Sequence, residues 1–163
     1  MNSRENAIKV ATPHKLNDSL GFLVNGLARL MRTTLENRLK PTGLTPTTWT
    51  ILMALGEEDP LNQTDLARRT FLDGATITRA TDLLEAKGLL ERNRDDNDRR
   101  VQIVGLTDAG RATCRQTARF GQEINADAVA ELKPAERRHL IEYLDRSIQR
   151  MMTYAEREAN NAI

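Results

Sequence analysis

Apolar residues recur at three- and four-residue spacing along most of this chain, and the one stretch that departs from it is the informative one. Leu16, Leu20, Leu23, Leu27, Leu30 and Met31 mark a first helix, with Asn17 or Asp18 as its cap and Lys40, Pro41 and Gly43 as its stop. Thr45 and Pro46 open a second helix, which buries Trp49, Ile51, Leu52 and Leu55 and ends at Gly56 and the acidic turn to Pro60. A short third helix, Gln63–Arg69, hangs on Leu66 and Ala67, and Phe71 and Leu72 fill the turn after it. Asp73 caps a fourth helix that reaches Lys87 and stops at Gly88. Leu89–Arg94 and Val101–Leu106 then read as two strands around a charged DDNDR tip. Thr107 caps a fifth helix reaching Leu132. Pro134 begins a sixth, with Leu140, Ile141, Leu144, Ile148 and Met151 or Met152 in one stripe. Residues 1–15 lack periodicity and read as an arm, frayed or ordered on contact.

Helix, tight turn, helix and charged hairpin, in that order, predict a winged helix-turn-helix. The expected fold class is mainly α with a small β-wing. A DNA-binding region at 41–106 lies between the segments of a helical dimerisation region, 16–40 and 107–163. The terminal helices carry apolar stripes with no second domain to cover them. Large apolar patches are rare on monomers, so a symmetric homodimer is expected, using Leu20, Leu23, Leu140, Leu144 and Ile148.

Charge bulk does not point to nucleic acid. The 163 residues carry a net charge of +1, and within 62–106 the basic residues are matched in number by acids. Placement has to carry the argument. The lone cysteine, Cys114, forms no internal disulfide, no apolar run approaches the ~20 residues that span a bilayer, and no secretory signal is visible, so no membrane partner and a cytoplasmic, reducing compartment are expected. Glycines in neither dinucleotide nor P-loop spacing, no HExxH, and His14 and His139 far apart predict no catalytic residues, no cofactor and no metal.

On a helical wheel the fourth helix turns Ile77, Ala80 and Leu84 inward and Ala75, Arg79, Asp82 and Ala86 outward, with Thr76 and Thr78 on the flanks. Small residues let a backbone approach a major groove, Thr hydroxyls can bond phosphates or bases, and Arg79 can take guanine O6 and N7 together. Asp82, three residues on, is placed to orient Arg79. At the wing tip Arg99 and Arg100 can enter a narrow minor groove, with Asp98 as a brace. Ala75, Thr76, Thr78, Arg79, Asp98, Arg99 and Arg100 are therefore the candidate DNA contacts.

LKPTGLTPTTWTILMAL, QTDLARRTFLDGATITRATDLLEAKGLLER and DRRVQIVGLTDAG together resemble the MarR family of winged-helix transcription regulators, over Leu16 to Tyr154. NRLKPTGLTPTTW is similar to its SlyA-like branch. The resemblance implies a dimer of the first, fifth and sixth helices on a pseudo-palindromic double-stranded DNA operator. It also implies repression relieved by a small aromatic or amphipathic anionic ligand. Arg29, Arg32, Thr47 and Met53 match ligand positions in relatives that bind salicylate-like anions. An arginine pair beside Trp49 and Met53 would suit an aromatic carboxylate. Some relatives sense oxidants through cysteine, but Cys114 shares a fifth-helix stripe with Ala118 and Gly121 and reads as packing. A ligand-independent regulator, and a winged helix that binds only protein, remain as alternatives.

Overall fold

The computed structural model describes residues 15–94 and 99–161, in two compact units, Met1–Ile124 and Asn125–Ile163. Among the described residues no helix is long and apolar enough to cross a membrane.

In the first unit a single 3-10 turn, Leu16–Asp18, precedes helix α1, Leu20–Leu39. Asn17 and Asp18 are spent inside that turn. Ser19, extended at φ −85° and ψ 118°, caps α1 instead, its hydroxyl accepting the Phe22 N–H at 3.4 Å, so Leu16 lies off the helix. α1 runs into a second 3-10 turn and the left-handed Gly43 (φ 67°). Helix α2, Pro46–Glu57, starts with the Thr45–Thr48 capping box and Pro at its first turn. Gly56 does not stop it; the extended Glu58 does.

Strand β1, Leu61–Asn62, was not expected, because two residues carry no alternation. The Asn62 side chain caps helix α3, Gln63–Thr70, by accepting the Asp65 N–H at 2.9 Å. The following turn is filled by Leu72 alone. Phe71 takes a left-handed conformation (φ 55°), which points its ring into solvent, 67% exposed. Asp73 caps helix α4, Gly74–Ala86, as expected. Its far end closes with Leu89 N–H on Leu84 O (3.0 Å) and Gly88 N–H on Glu85 O (2.8 Å), and Gly88 supplies the positive φ this closure requires. Strands β2, Leu90–Arg94, and β3, Gln102–Leu106, each begin one residue later than the pattern predicts. They pair antiparallel, Arg92 opposite Val104, in a sheet of order β1-β3-β2. The arm up to residue 14, Asp98 and the rest of the DDND tip lie outside the described residues.

One core unites these pieces. Leu39, Ile51, Leu52, Leu55, Leu66, Ile77, Leu84 and Val104 are wholly buried; each such side chain contributes roughly 1.5–3 kcal/mol. The wing is seated on helix α5, Asp108–Ala128, through Thr107. Its hydroxyl donates to Gly88 O (2.7 Å) and accepts from Gly110 N–H (3.0 Å) while its amide donates to Leu89 O (3.1 Å).

The second unit holds the end of α5, which stops at Ala128, short of Leu132: Ala130 N–H bonds Asp127 O, a tightened turn, and Pro134 follows. Helix α6, Pro134–Asn161, carries Glu136 in its first turn, and that carboxylate accepts the Lys133 N–H at 2.7 Å. Leu140, Leu144 and Met152 are half-buried on it, while Ile141, Tyr143, Ile148, Met151 and Tyr154 are exposed.

Candidate nucleic-acid interface

The wheel reading of α4 holds. Ile77, Ala80, Thr81 and Leu84 are buried, Ala75, Thr78 and Arg79 are exposed, and Thr76 is half-buried. At the helix start the Asp73 carboxylate accepts both the amide and the hydroxyl of Thr76, each at 2.8 Å. Those bonds, the amide's first, hold its pKa below the ordinary carboxyl value. The Thr78 hydroxyl donates to Gly74 O at 3.0 Å. Both threonine protons are thus engaged at the start of the helix in the free protein, where Thr76 and Thr78 present methyl groups and acceptor lone pairs. Arg79 is exposed and makes a long contact to the Thr76 hydroxyl at 3.4 Å.

Asp82 does not orient Arg79. Its carboxylate pairs with Arg92 of β2, because the Arg92 side chain lies back across α4, also reaching Glu85 and, at 2.8 Å, the Thr81 hydroxyl. Sequence reading passed over Arg92; the available signal was a pair of acids, Asp82 and Glu85, one helical turn apart on a face that a following strand must cover. Lys87 was also passed over: its Nζ donates to Gly43 O at 2.8 Å and ties the end of α4 to the loop before α2.

On the wing, Arg99 and Arg100 are exposed, and Arg94 braces the hairpin by donating to Arg99 O at 3.3 Å. Among the described residues, Arg92, Arg94, Arg99 and Arg100 line one open recess of about 580 Å³.

Of the expected ligand residues, Arg32 and Thr47 come together, guanidinium to hydroxyl at 3.3 Å. Arg29 is exposed one turn earlier on α1. Trp49 and Met53 are half-buried and pack on the core. The Trp49 ring lies against α5, where a Cβ at Gly121 would come within 2.6 Å of it, and its buried indole N–H has no partner among the described residues. Cys114 is buried, donates to Leu52 O at 3.2 Å, and its pKa is raised, by burial first and by the Asp59 carboxylate second. Among the described residues no group of His, Cys, Asp and Glu is arranged to hold a metal ion.

A family model for MarR matches residues 42–101. A probable transcriptional regulator from Pseudomonas aeruginosa is 36% identical, with 81% of this chain and 98% of that one covered at a TM-score of 0.72. The chain belongs to the MarR family. Its members are transcriptional regulators and not enzymes, and the helical fold with a three-stranded wing matches theirs. This MarR protein is also 32% identical, over 105 residues, to the HTH-type regulator YdgJ of Bacillus subtilis; it covers 64% of that relative's length and the match takes in 64% of its own. The structure of BpsR from Bordetella bronchiseptica, whose DNA binding is regulated by 6-hydroxynicotinic acid, is 27% identical over 85% of this chain and 98% of that one, with a TM-score of 0.74.

Proposed function

We propose that this MarR protein is a homodimeric repressor that binds a pseudo-palindromic DNA operator and is released by a small aromatic acid. The observation that carries the DNA reading is α4 itself, a capped helix whose buried side fixes it to the core while Ala75, Thr76, Thr78 and Arg79 face outward beside an arginine-bearing wing. Arg79 reads guanine in the major groove; Arg99 and Arg100, with Asp98 as brace, reach the minor groove. The dimer is supported by the exposed row Leu20, Leu23 and Leu27 on α1 and by Ile148 with its exposed neighbours on α6. Leu140 and Leu144, half-buried on α6, belong to the same proposed interface as Leu20, Leu23 and Ile148. The DNA-binding part is then 41–106 and the dimerisation part 16–40 with 107–163, after the arm 1–15. Residues NRLKPTGLTPTTW favour the SlyA-like branch, and the reading places the protein in the cytoplasm.

In a dimer the two α4 helices meet half-sites about 34–36 Å apart. Arg79→Ala should cost about 1–3 kcal/mol and relax base preference within the half-site. Arg100→Ala should weaken binding where A·T tracts narrow the flanking minor groove. Footprinting that finds a monomer on one half-site, or both variants binding operator and random duplex as wild type does, refutes the reading.

The ligand reading rests on Arg32 held at Thr47, with Arg29 one turn away and the unpartnered indole N–H of Trp49 at the same end of α2. A carboxylate on an aromatic ring suits two guanidinium groups beside Trp49 and Met53. BpsR, with its 6-hydroxynicotinic acid, supports that ligand class. Coupling of about 1–3 kcal/mol would change operator affinity roughly 5- to 150-fold, and operator would weaken the acid by the same factor. Calorimetric titration of aromatic acids with and without operator tests this. An Arg29→Ala/Arg32→Ala protein that still responds refutes the pocket and leaves the DNA reading intact.

A further inference from the structure

The reach of the wing depends on how β2 is held against α4. Among the described residues β2 lies at the edge of the sheet, paired only to β3. Its one long side chain turned back onto α4 is that of Arg92, just 17% exposed in the middle of a charged strand. One terminal nitrogen meets the Asp82 carboxylate and the Thr81 hydroxyl, and the other meets the Glu85 carboxylate. Thr81 is wholly buried and its hydroxyl donates to Ile77 O and Thr78 O, at 2.9 and 3.0 Å, so its oxygen is left as an acceptor aimed at the guanidinium. Asp82 and Glu85 repel one another across one helical turn unless a cation lies between them. A lysine ammonium is a point charge and cannot span both carboxylates and the hydroxyl; a planar fork can.

We propose that Arg92 is a positioning residue, a latch that fixes the wing to the recognition helix so that the minor-groove arginines and Arg79 engage one half-site together. It touches neither groove. The latch rests on the DNA reading above for its consequence, but its mechanical part concerns the free protein alone. Without it the hairpin keeps its β2–β3 pairing and loses its fixed distance from α4, and the benefit of the wing arginines is lost with that register.

The test is Arg92→Met, with Asp82→Asn as a milder second variant that removes one partner at the surface; circular dichroism confirms that each is folded. Two measurements are made. Amide hydrogen exchange in free protein should quicken along β2 and leave α2 unchanged. In operator binding, Arg92→Met should cost roughly 5- to 150-fold, the scale of one lost groove contact. Adding Arg100→Ala to it should then cost little more, a non-additivity that general destabilisation does not produce. Asp82→Asn should move both measurements in the same direction by less. Wild-type exchange along β2 in Arg92→Met, or costs of Arg92→Met and Arg100→Ala that simply multiply, overturns the latch. Quickened exchange together with an Arg100→Ala that has no effect even in wild type supports the latch and refutes the wing's assigned role instead.

Discussion

Gly110 sits in the first turn of α5, where helix propensity alone says that Ala should stabilise by about 1 kcal/mol. The structure predicts the opposite sign. A Cβ at Gly110 would lie 2.1 Å from Leu89 O and 3.1 Å from Leu106 Cδ2. Side-chain rotation cannot relieve the first contact, because its partner is backbone. Leu89 O is also the acceptor of the Thr107 N–H, so α5 must retreat from the base of the wing by about an ångström to restore ordinary contact. Overpacking of this kind costs about 1–3 kcal/mol, and weakening the Thr107 bond adds about 0.5–1.5 kcal/mol. Set against the propensity gain, Gly110→Ala should destabilise by roughly 1–3 kcal/mol, a fall in Tm of several degrees for a chain of this size. Thermal unfolding followed by circular dichroism at one fixed protein concentration measures it, since association moves Tm as well. Ala109→Gly, at the exposed neighbouring position, should lose only the propensity difference of about 1 kcal/mol. An unchanged or raised Tm in Gly110→Ala would show that the α5–wing junction is looser than described.

Asp73→Ala should destabilise the fold through loss of the α4 cap; because the folded-state pKa of Asp73 is lowered, its contribution is complete above the ordinary carboxyl range and disappears as pH falls through the lowered value, so a wild-type-minus-variant stability difference that stays constant into acid would contradict the assignment. Cys114, buried with its thiol kept protonated and donating to Leu52 O, should react with a thiol reagent only as fast as the protein opens, and rapid labelling of the native protein at neutral pH would refute this. Leu23→Asp and Ile148→Asp should each shift sedimentation from dimer toward monomer and reduce operator binding with it, and an intact dimer for both would remove the proposed interface.

What the chain spelled out and what it hid separate along physical lines. Asp73 and Gly88 bracket α4 through chemistry within a few residues, so its limits and its buried face could be read directly. The start of α1 was misplaced because Asn17, Asp18 and Ser19 are three adjacent capping residues, and the choice among them depends on backbone angles that no pattern encodes. β1 has too few residues to show a period. Asp82 was matched to a nearby arginine by helical spacing, but its partner lies ten residues on, across the turn at Gly88, and only the fold brings Arg92 to it. Phe71 was expected to fill the turn after α3 with Leu72, and a left-handed backbone turned it outward. Among the ligand candidates, Arg32 and Thr47 were grouped only by the family resemblance and the fold brings them together, while the commitment of Trp49 to α5 depends on the space left by Gly121, more than seventy positions away.

Among the described residues the order β1-β3-β2 leaves the wing strand with one side of its backbone unpaired. An unpaired strand is a template on which another chain can continue the sheet. The other edge is protected by brevity, since β1 is only Leu61–Asn62. β2 has five residues and cannot rely on that. Its sequence, LERNR, places Glu91, Arg92, Asn93 and Arg94 where an incoming strand would have to bring its own side chains alongside, and burying those charges is expensive. The charged side chains of β2 thus also keep copies of the chain from joining edge to edge. Selection for a more apolar wing would therefore be penalised even in a cell without an operator, through aggregation of the protein with itself.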